Sequence, residues 1–372
     1  MSQERKQIDG IVVVPENSEE VLNQRQLTDY REFREQLIKW ILNLGKDPEK
    51  ANGYAWDTAR QRSYKIDKFY RWVWEQEGGY TLKATPRHAE EYSKELAYED
   101  HSSTHKASIQ KALKTLFKFK RYQGKDVEWE RSIKFSSNSG THNARDFLTR
   151  DERRKIKEAV LEYGSIPHYD SLNPEQRDRW KQHLAQRFEK PKAEVSKDDW
   201  KRANGWKYPS MVWVSMDAGL RPKEVGRASV DWLDLENGML RIAKEDSTKN
   251  TDNWNVGLSD RTANILRKWV AEREQYDKYT DTDQLWLTKY GNPYGTEALN
   301  RLLRKLCEEA SIPVSNRDVT WYSIRHSVGT YMARDSGLAA AQAQLRHKSE
   351  RTTMRYDQAP VEDRKKTLNN WD

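Results

Sequence analysis

One cysteine, Cys307, is the only thiol in this 372-residue chain. A single thiol excludes an intramolecular disulfide and a cysteine-rich metal site. No apolar run approaches the roughly 20 residues that a membrane-crossing helix needs. The opening Met1-Ser2-Gln3-Glu4-Arg5-Lys6 lacks the apolar stretch of a secretory leader. A cytoplasmic protein with no membrane partner is therefore the expectation. Hydrophobic residues make up only 35% of the chain and mean hydropathy is −1.08, which leaves much surface for the available core. The length suggests two or three domains. There is no internal repeat and no obvious cluster of metal ligands, so neither metal nor cofactor is expected.

What the chain does have is charge. Charged residues are 33% of the total and the net charge is +8. That excess suits a nucleic-acid partner only if it is sorted onto one face. By itself it does not separate a DNA-binding protein from a merely well-solvated one.

Apolar periodicity organises the rest. Residues 1–20 are polar apart from Ile11-Val12-Val13-Val14 and read as a flexible arm. Helical spacing predicts helices over 27–44, 58–77, 86–96 and 103–122, the third opened by Pro86. Lys106, Lys114, Lys118 and Arg121 follow one face of the fourth, which reads either as a solvated face or as a contact to DNA phosphates. Ser136-Ser137-Asn138-Ser139-Gly140-Thr141 has no apolar anchor, and a linker is expected over 136–147. Domains of 21–135 and 148–372 flank it. Thr149 and Glu152 form a capping-box signature. Residues 162–205 are polar and resist a pattern. Pro209–Ala218 reads as a buried helix, and Asn237-Gly238 as a hairpin turn before a strand. A second strand is expected over Trp254–Leu258, then helices to the end. The fold class is mainly α with a small antiparallel β-sheet.

Four motifs carry chemistry. Gly219-Leu220-Arg221-Pro222-Lys223-Glu224 comes first, and Tyr322-Ser323-Ile324-Arg325-His326 follows. Leu345-Arg346-His347-Lys348-Ser349 leads to Tyr356, nine residues after His347. Guanidiniums grip phosphate oxygens with paired N–H donors, imidazole adds a hydrogen bond, and a phenol oxygen can attack phosphorus. His326 cannot share Arg325's target, because a helix turns about 100° per residue; it reads as structural.

In this order the motifs resemble the tyrosine recombinase (phage integrase) family, in particular integrases of archaeal and viral elements. The resemblance covers residues 146–360 by motif and the N-terminal third loosely. It implies an N-terminal helical core-binding domain that clamps DNA and a C-terminal catalytic domain. It further implies a site-specific recombinase working through a 3′-phosphotyrosyl intermediate, without metal or ATP. Arg221, Arg325 and His347 would hold the scissile phosphate, with Glu224 orienting the cations and Tyr356 as nucleophile. A lysine on the β-hairpin would protonate the leaving 5′ oxygen; Lys249 fits better than Lys244, since it precedes Val256-Gly257-Leu258 as the family's lysine precedes Val-Pro-Leu. Double-stranded DNA and a homotetramer assembled on it are the implied partners.

The chain departs from the family at two points. Tyr322 stands where histidine is usual, and a tyrosine can donate a hydrogen bond but is no base near neutral pH. It would serve the phosphate or Tyr356, or pack beside Trp321. Arg346 stands where glycine is frequent, and is read as a DNA-backbone contact or a solvated side chain. A type IB topoisomerase-like enzyme, or a DNA-binding regulator without catalysis, would use the same residues.

Overall fold

The computed structural model describes residues 5–136, 146–247, 252–356 and 361–370. The chain divides into two compact units, Met1–His142 and Asn143–Asp372.

The first unit is helical. Strands β1 (Gln7–Ile8) and β2 (Ile11–Val12) precede α1 (Glu16–Glu19), α2 (Gln24–Asn43), α3 (Trp56–Gln76), α4 (Pro86–Tyr98) and α5 (Ser103–Tyr122). Their apolar stripes meet in one core that includes Leu37, Ile41, Phe69, Leu113 and Leu116. The caps follow from sequence. Asn23 and Gln26 bond reciprocally ahead of α2, and Thr85 and His88 do so ahead of α4.

The expected flexible arm is a correction. Asp9 and Gly10, with φ of 48° and 76°, turn β1 back onto β2, as a tight hairpin requires. Ile11, Val13 and Val14 are buried in the helical core. The buried Arg34 donates from Nε to the Val13 carbonyl at 2.9 Å and from Nη1 to that of Ser63 at 2.6 Å. Ser18 and Tyr30 both donate to the buried Asp67 carboxylate, at 2.8 and 2.9 Å. The Asp9-Gly10 pair between two isoleucines was the signal for this hairpin.

The second unit opens with α6 (Arg150–Glu162), capped by Thr149 and Glu152 as expected. Residues 162–205 hold α7 (Pro174–Arg187) and α8 (Lys197–Lys201), which close a small core of their own around Trp180, Leu184 and Trp200. Helix α9 (Lys207–Ala218) is buried almost throughout, and α10 (Pro222–Arg227) follows. Strands β3 (Leu233–Asp234), β4 (Met239–Ile242) and β5 (Trp254–Gly257) make an antiparallel sheet in that order. Asn237-Gly238 turns β3 into β4, and Leu240 pairs with Val256. Helices α11 (Asp260–Arg273) and α12 (Thr296–Glu309) complete the main core with α9. Helix α13 (Trp321–Leu345) breaks at Gly337, whose φ of 87° and ψ of 166° suit glycine alone. The short α14 (Glu350–Thr353) and α15 (Val361–Asn369) end the chain. The linker expected over 136–147 lies almost wholly outside the described residues. No helix among the described residues is long and apolar enough to cross a membrane.

Because Ile11 is fully buried, Ile11→Ala should destabilise the helical unit by about 2–4 kcal/mol. A urea titration followed by tryptophan fluorescence checks this; an unchanged midpoint would mean that the strand pair does not hold to the core.

Candidate active site

Helix α9 stops at Gly219, which is left-handed at φ 57°. A side chain there would come within 2.5 Å of Leu345 Cδ2, so glycine also lets α13 approach. The chain then turns through Arg221 into α10, with Pro222 in its first turn. Glu224 reaches back: its Oε2 accepts from Arg221 N at 2.7 Å and its Oε1 from Arg221 Nη1 at 2.6 Å.

Arg325 lies on the first turns of α13 and is 2% exposed. Its Nη1 donates to the Gly219 carbonyl at 2.6 Å, and its Nη2 to the Leu345 carbonyl and to His347 Nε2, the latter at 3.0 Å. A guanidinium only donates, so Nε2 of His347 is the acceptor. Its Nδ1 then carries the proton and donates to Thr353 Oγ1 at 3.0 Å. Tyr356 is buried in the short 3₁₀ turn after α14. Its ring lies parallel to His347, 7° between planes and 5.7 Å between centroids. Gly329 makes room for it: a side chain there would meet the Tyr356 ring at 2.8 Å.

Arg346 is the main correction. Expected as a contact to the DNA backbone or a solvated side chain, it is instead inside the protein. It ends α13 in the left-handed region, φ 57° and ψ 52°, which costs a non-glycine residue roughly 1–2 kcal/mol. Its Nη1 donates to the Ala218 and Gln344 carbonyls at 2.8 and 2.9 Å. Its Nη2 donates to Glu224 Oε2 at 2.8 Å and to the Gly219 carbonyl at 3.2 Å.

Burial raises the Glu224 carboxyl, but Arg346, Arg221 and Arg325 outweigh it and bring the group down to about 2. Burial lowers Arg325 to about 9, helped by Arg346 and Arg221 and opposed by Glu224 and Tyr356. Burial also lowers Arg346, against the pull of Glu224. Three cations and one carboxylate are thus crowded together, with Glu224, Arg325 and Arg346 buried and Arg221 partly so. Such an arrangement can grip an anion with preorganised donors.

The other expected site residues are scattered. Tyr322 is exposed where Trp321 is fully buried; its ring is 6.5 Å from that of His326. His326, read as structural, is buried with its ring 5.6 Å from Tyr356. Lys249 lies outside the described residues; Lys244, exposed at the end of β4, donates its backbone N–H to Asn253 Oδ1 at 2.8 Å. On α5, Lys106 donates to the Ala97 carbonyl, and Lys118 to those of Gly45 and Lys46. Arg121 pairs with Glu128 at 3.0 Å, and Lys114 is exposed. The expected stripe is therefore largely tied to the protein. A second basic surface was missed: Arg60, Lys65 and Lys68 of α3 line a cavity of about 440 Å³ with Tyr64, Tyr92 and His105. Helix α3 had been read only for its apolar stripe. Gly329 was legible as well, since it follows Arg325 by four residues and so shares its face. Among the described residues no group of His, Cys, Asp and Glu is arranged to hold a metal.

Residues 196–362 match the phage integrase family. Tyrosine recombinase XerA of Saccharolobus solfataricus is 30% identical over 154 residues, 41% of this chain and 46% of that protein. Tyrosine recombinase XerD of Staphylococcus saprophyticus is 24% identical over 157 residues, 42% and 51% respectively. The chain spans about half the length of these curated relatives. In fold it is similar to XerH site-specific recombinase bound to its difH substrate, with a TM-score of 0.55 at 17% identity, covering 96% of this chain and 91% of that one. The Tn1549 transposon integrase in complex with a circular intermediate DNA gives 0.52 at 12% identity, covering 90% and 98%. The family match thus falls on the second unit, residues 196–362, which holds all four sequence motifs.

The Glu224 carboxyl titrates near 4.5 when unfolded and about 2 when folded, so its contribution to stability is complete above 4.5 and is lost as pH falls through 2. It is on the order of 3 kcal/mol at neutral pH. Glu224→Gln should therefore lower the denaturation midpoint most near pH 7. The gap to wild type should close as pH approaches 2, and a gap constant across that range would contradict the assignment.

Proposed function

We propose that this protein is a site-specific DNA recombinase, an integrase of a mobile element, that cuts and rejoins strands through Tyr356. The observation that carries the reading is that Arg325 bonds His347, which lies parallel to Tyr356. The phage integrase match over residues 196–362 and the DNA complexes formed by XerH and the Tn1549 integrase support it.

In this reading Arg221 and Arg325 hold the non-bridging oxygens of the scissile phosphate. The Tyr356 oxygen attacks phosphorus, the Oη–P bond forms, and the bond from phosphorus to the 5′ oxygen breaks. The phenol proton passes to His347 Nε2, the acceptor nitrogen beside the ring. The 5′ oxygen leaves with a proton from Lys249. A 5′-hydroxyl of a partner duplex then attacks the phosphotyrosine and reverses each step. The phosphodiester energy stays in the covalent link, and the charge on phosphorus is met by arginines, so neither ATP nor metal has a task. Exchange needs two cleaved duplexes, hence a homo-oligomer, a tetramer, assembled on DNA. The basic surface of α3, together with Lys114, would face the duplex, where cation–phosphate contacts release counterions.

Tyr356→Phe should keep DNA binding and form no covalent adduct on a nicked suicide duplex. Mass spectrometry of the wild-type adduct should place the 3′-phosphate on the peptide containing Tyr356. An adduct of normal yield in the mutant would assign the nucleophile elsewhere.

The leaving group separates the lysines. Lys249→Ala should cleave normal DNA slowly, by roughly 10²–10⁴-fold for a lost general acid. It should be nearly harmless where the bridging 5′ oxygen is sulfur, because a thiolate leaves without a proton. Sulfur rescue of Lys244→Ala instead would move the role to that residue.

A further inference from the structure

We propose that Arg346 is a positioning residue for phosphate capture: it braces Arg221 and Arg325 and supplies the charge that lets Glu224 hold Arg221 without cancelling it. The inference rests on the strand-transfer reading above.

One nitrogen makes the brace. Nη2 of Arg346 donates both to Glu224 Oε2, the atom that also accepts from Arg221 N, and to the Gly219 carbonyl, which also accepts from Arg325 Nη1. The supports of the two clamping arginines are thereby joined through a third. Its other amino nitrogen bonds the Ala218 and Gln344 carbonyls, tying the end of α9 to the end of α13. The side chain is 1% exposed, so no part of it is placed to meet DNA directly.

Charge gives the brace a chemical consequence. Arg221, Arg325 and Arg346 against Glu224 leave two net positive charges. Attack of a tyrosinate on a phosphodiester gives a phosphorane with two negative charges, so the cluster balances the transition state rather than the singly charged ground state. Without Arg346, Glu224 would offset one of the two remaining arginines and one net charge would be left. A glycine at 346 would keep the backbone turn, because its left-handed φ is natural to glycine, and would remove only the cation and its bonds.

The test compares Arg346→Gly and Arg346→Lys with wild type on two suicide duplexes. One carries a normal scissile phosphate. The other has a methylphosphonate there, whose attack gives one negative charge fewer. On the phosphodiester, Arg346→Gly should bind DNA as wild type does and form adduct roughly 10- to 100-fold more slowly, the usual cost of losing a group that orients a directly acting one. On the methylphosphonate its deficit should shrink to within about threefold, because the missing charge is no longer needed. Arg346→Lys keeps a cation but cannot span the same acceptors, and should fall between the two. An equal deficit on both substrates would reduce Arg346 to a structural role, and full activity of Arg346→Gly on the phosphodiester would also overturn the inference. If Arg346→Gly loses its cooperative melting transition, the same substrate ratio is read from Arg346→Lys. A wild type that forms no adduct on either duplex defeats the strand-transfer reading itself, a result distinct from the others.

Discussion

The Glu224 carboxylate, buried and surrounded by guanidiniums, is the interaction on which the rest of the site depends. An isolated carboxylate in that position would be neutral, since burial disfavours its charge. Three arginines reverse the balance. The dependence runs both ways. Arginines crowded away from water lower one another's charged form, as the depressed Arg325 shows, and Glu224 is the carboxylate that opposes this. Removing either partner from such a buried cluster leaves an uncompensated charge, which is worth several kcal/mol.

That cluster dictates the backbone around it. The segment Ala218–Arg221 must bring two carbonyls toward Arg325 and Arg346 while leaving α13 close enough to supply both. Gly219 meets this by its left-handed turn and by the space its missing side chain gives to Leu345. Arg346 takes the same left-handed conformation without glycine's freedom, and its bonds to Glu224 and three carbonyls offset the strain. Gly329 completes the arrangement from the other side, where Tyr356 presses against α13. Two close approaches and one strained turn thus bring α9, α10, α13 and the segment after α14 to one point.

Most of the elements were legible because their signals are local. Apolar repeats, Pro86, the Thr149–Glu152 cap and the Asn237-Gly238 turn each act within a few residues. The grouping of the candidate site was legible by motif order, which put Arg221, Arg325, His347 and Tyr356 together before any geometry. What failed was nonlocal. No pattern in sequence says that Lys118 will meet the end of a helix more than seventy residues away, so it read as part of a stripe open to solvent or DNA. Arg346 misled for the same reason, since all but one of its acceptors lie more than a hundred residues upstream and a charged residue beside a histidine reads as surface. The N-terminal hairpin is a different case. Asp9-Gly10 announced it locally, and the polar residues around it outweighed that signal.

The resting hydrogen bonds also bear on how the chemistry would start. Arg325 spends one N–H on His347 Nε2, and His347 is held by Thr353 on its other side. A phosphate oxygen is a stronger acceptor for a guanidinium than an imidazole nitrogen is, because both partners are charged. Arrival of the scissile phosphate would therefore draw that N–H away from His347. The freed Nε2 lies on the ring that stacks against Tyr356, where the strand-transfer reading would need a proton acceptor for the phenol. In the strand-transfer reading, His347 would become available as a base only with the phosphate in place. In that reading, phosphate binding and activation of Tyr356 would be linked through one guanidinium.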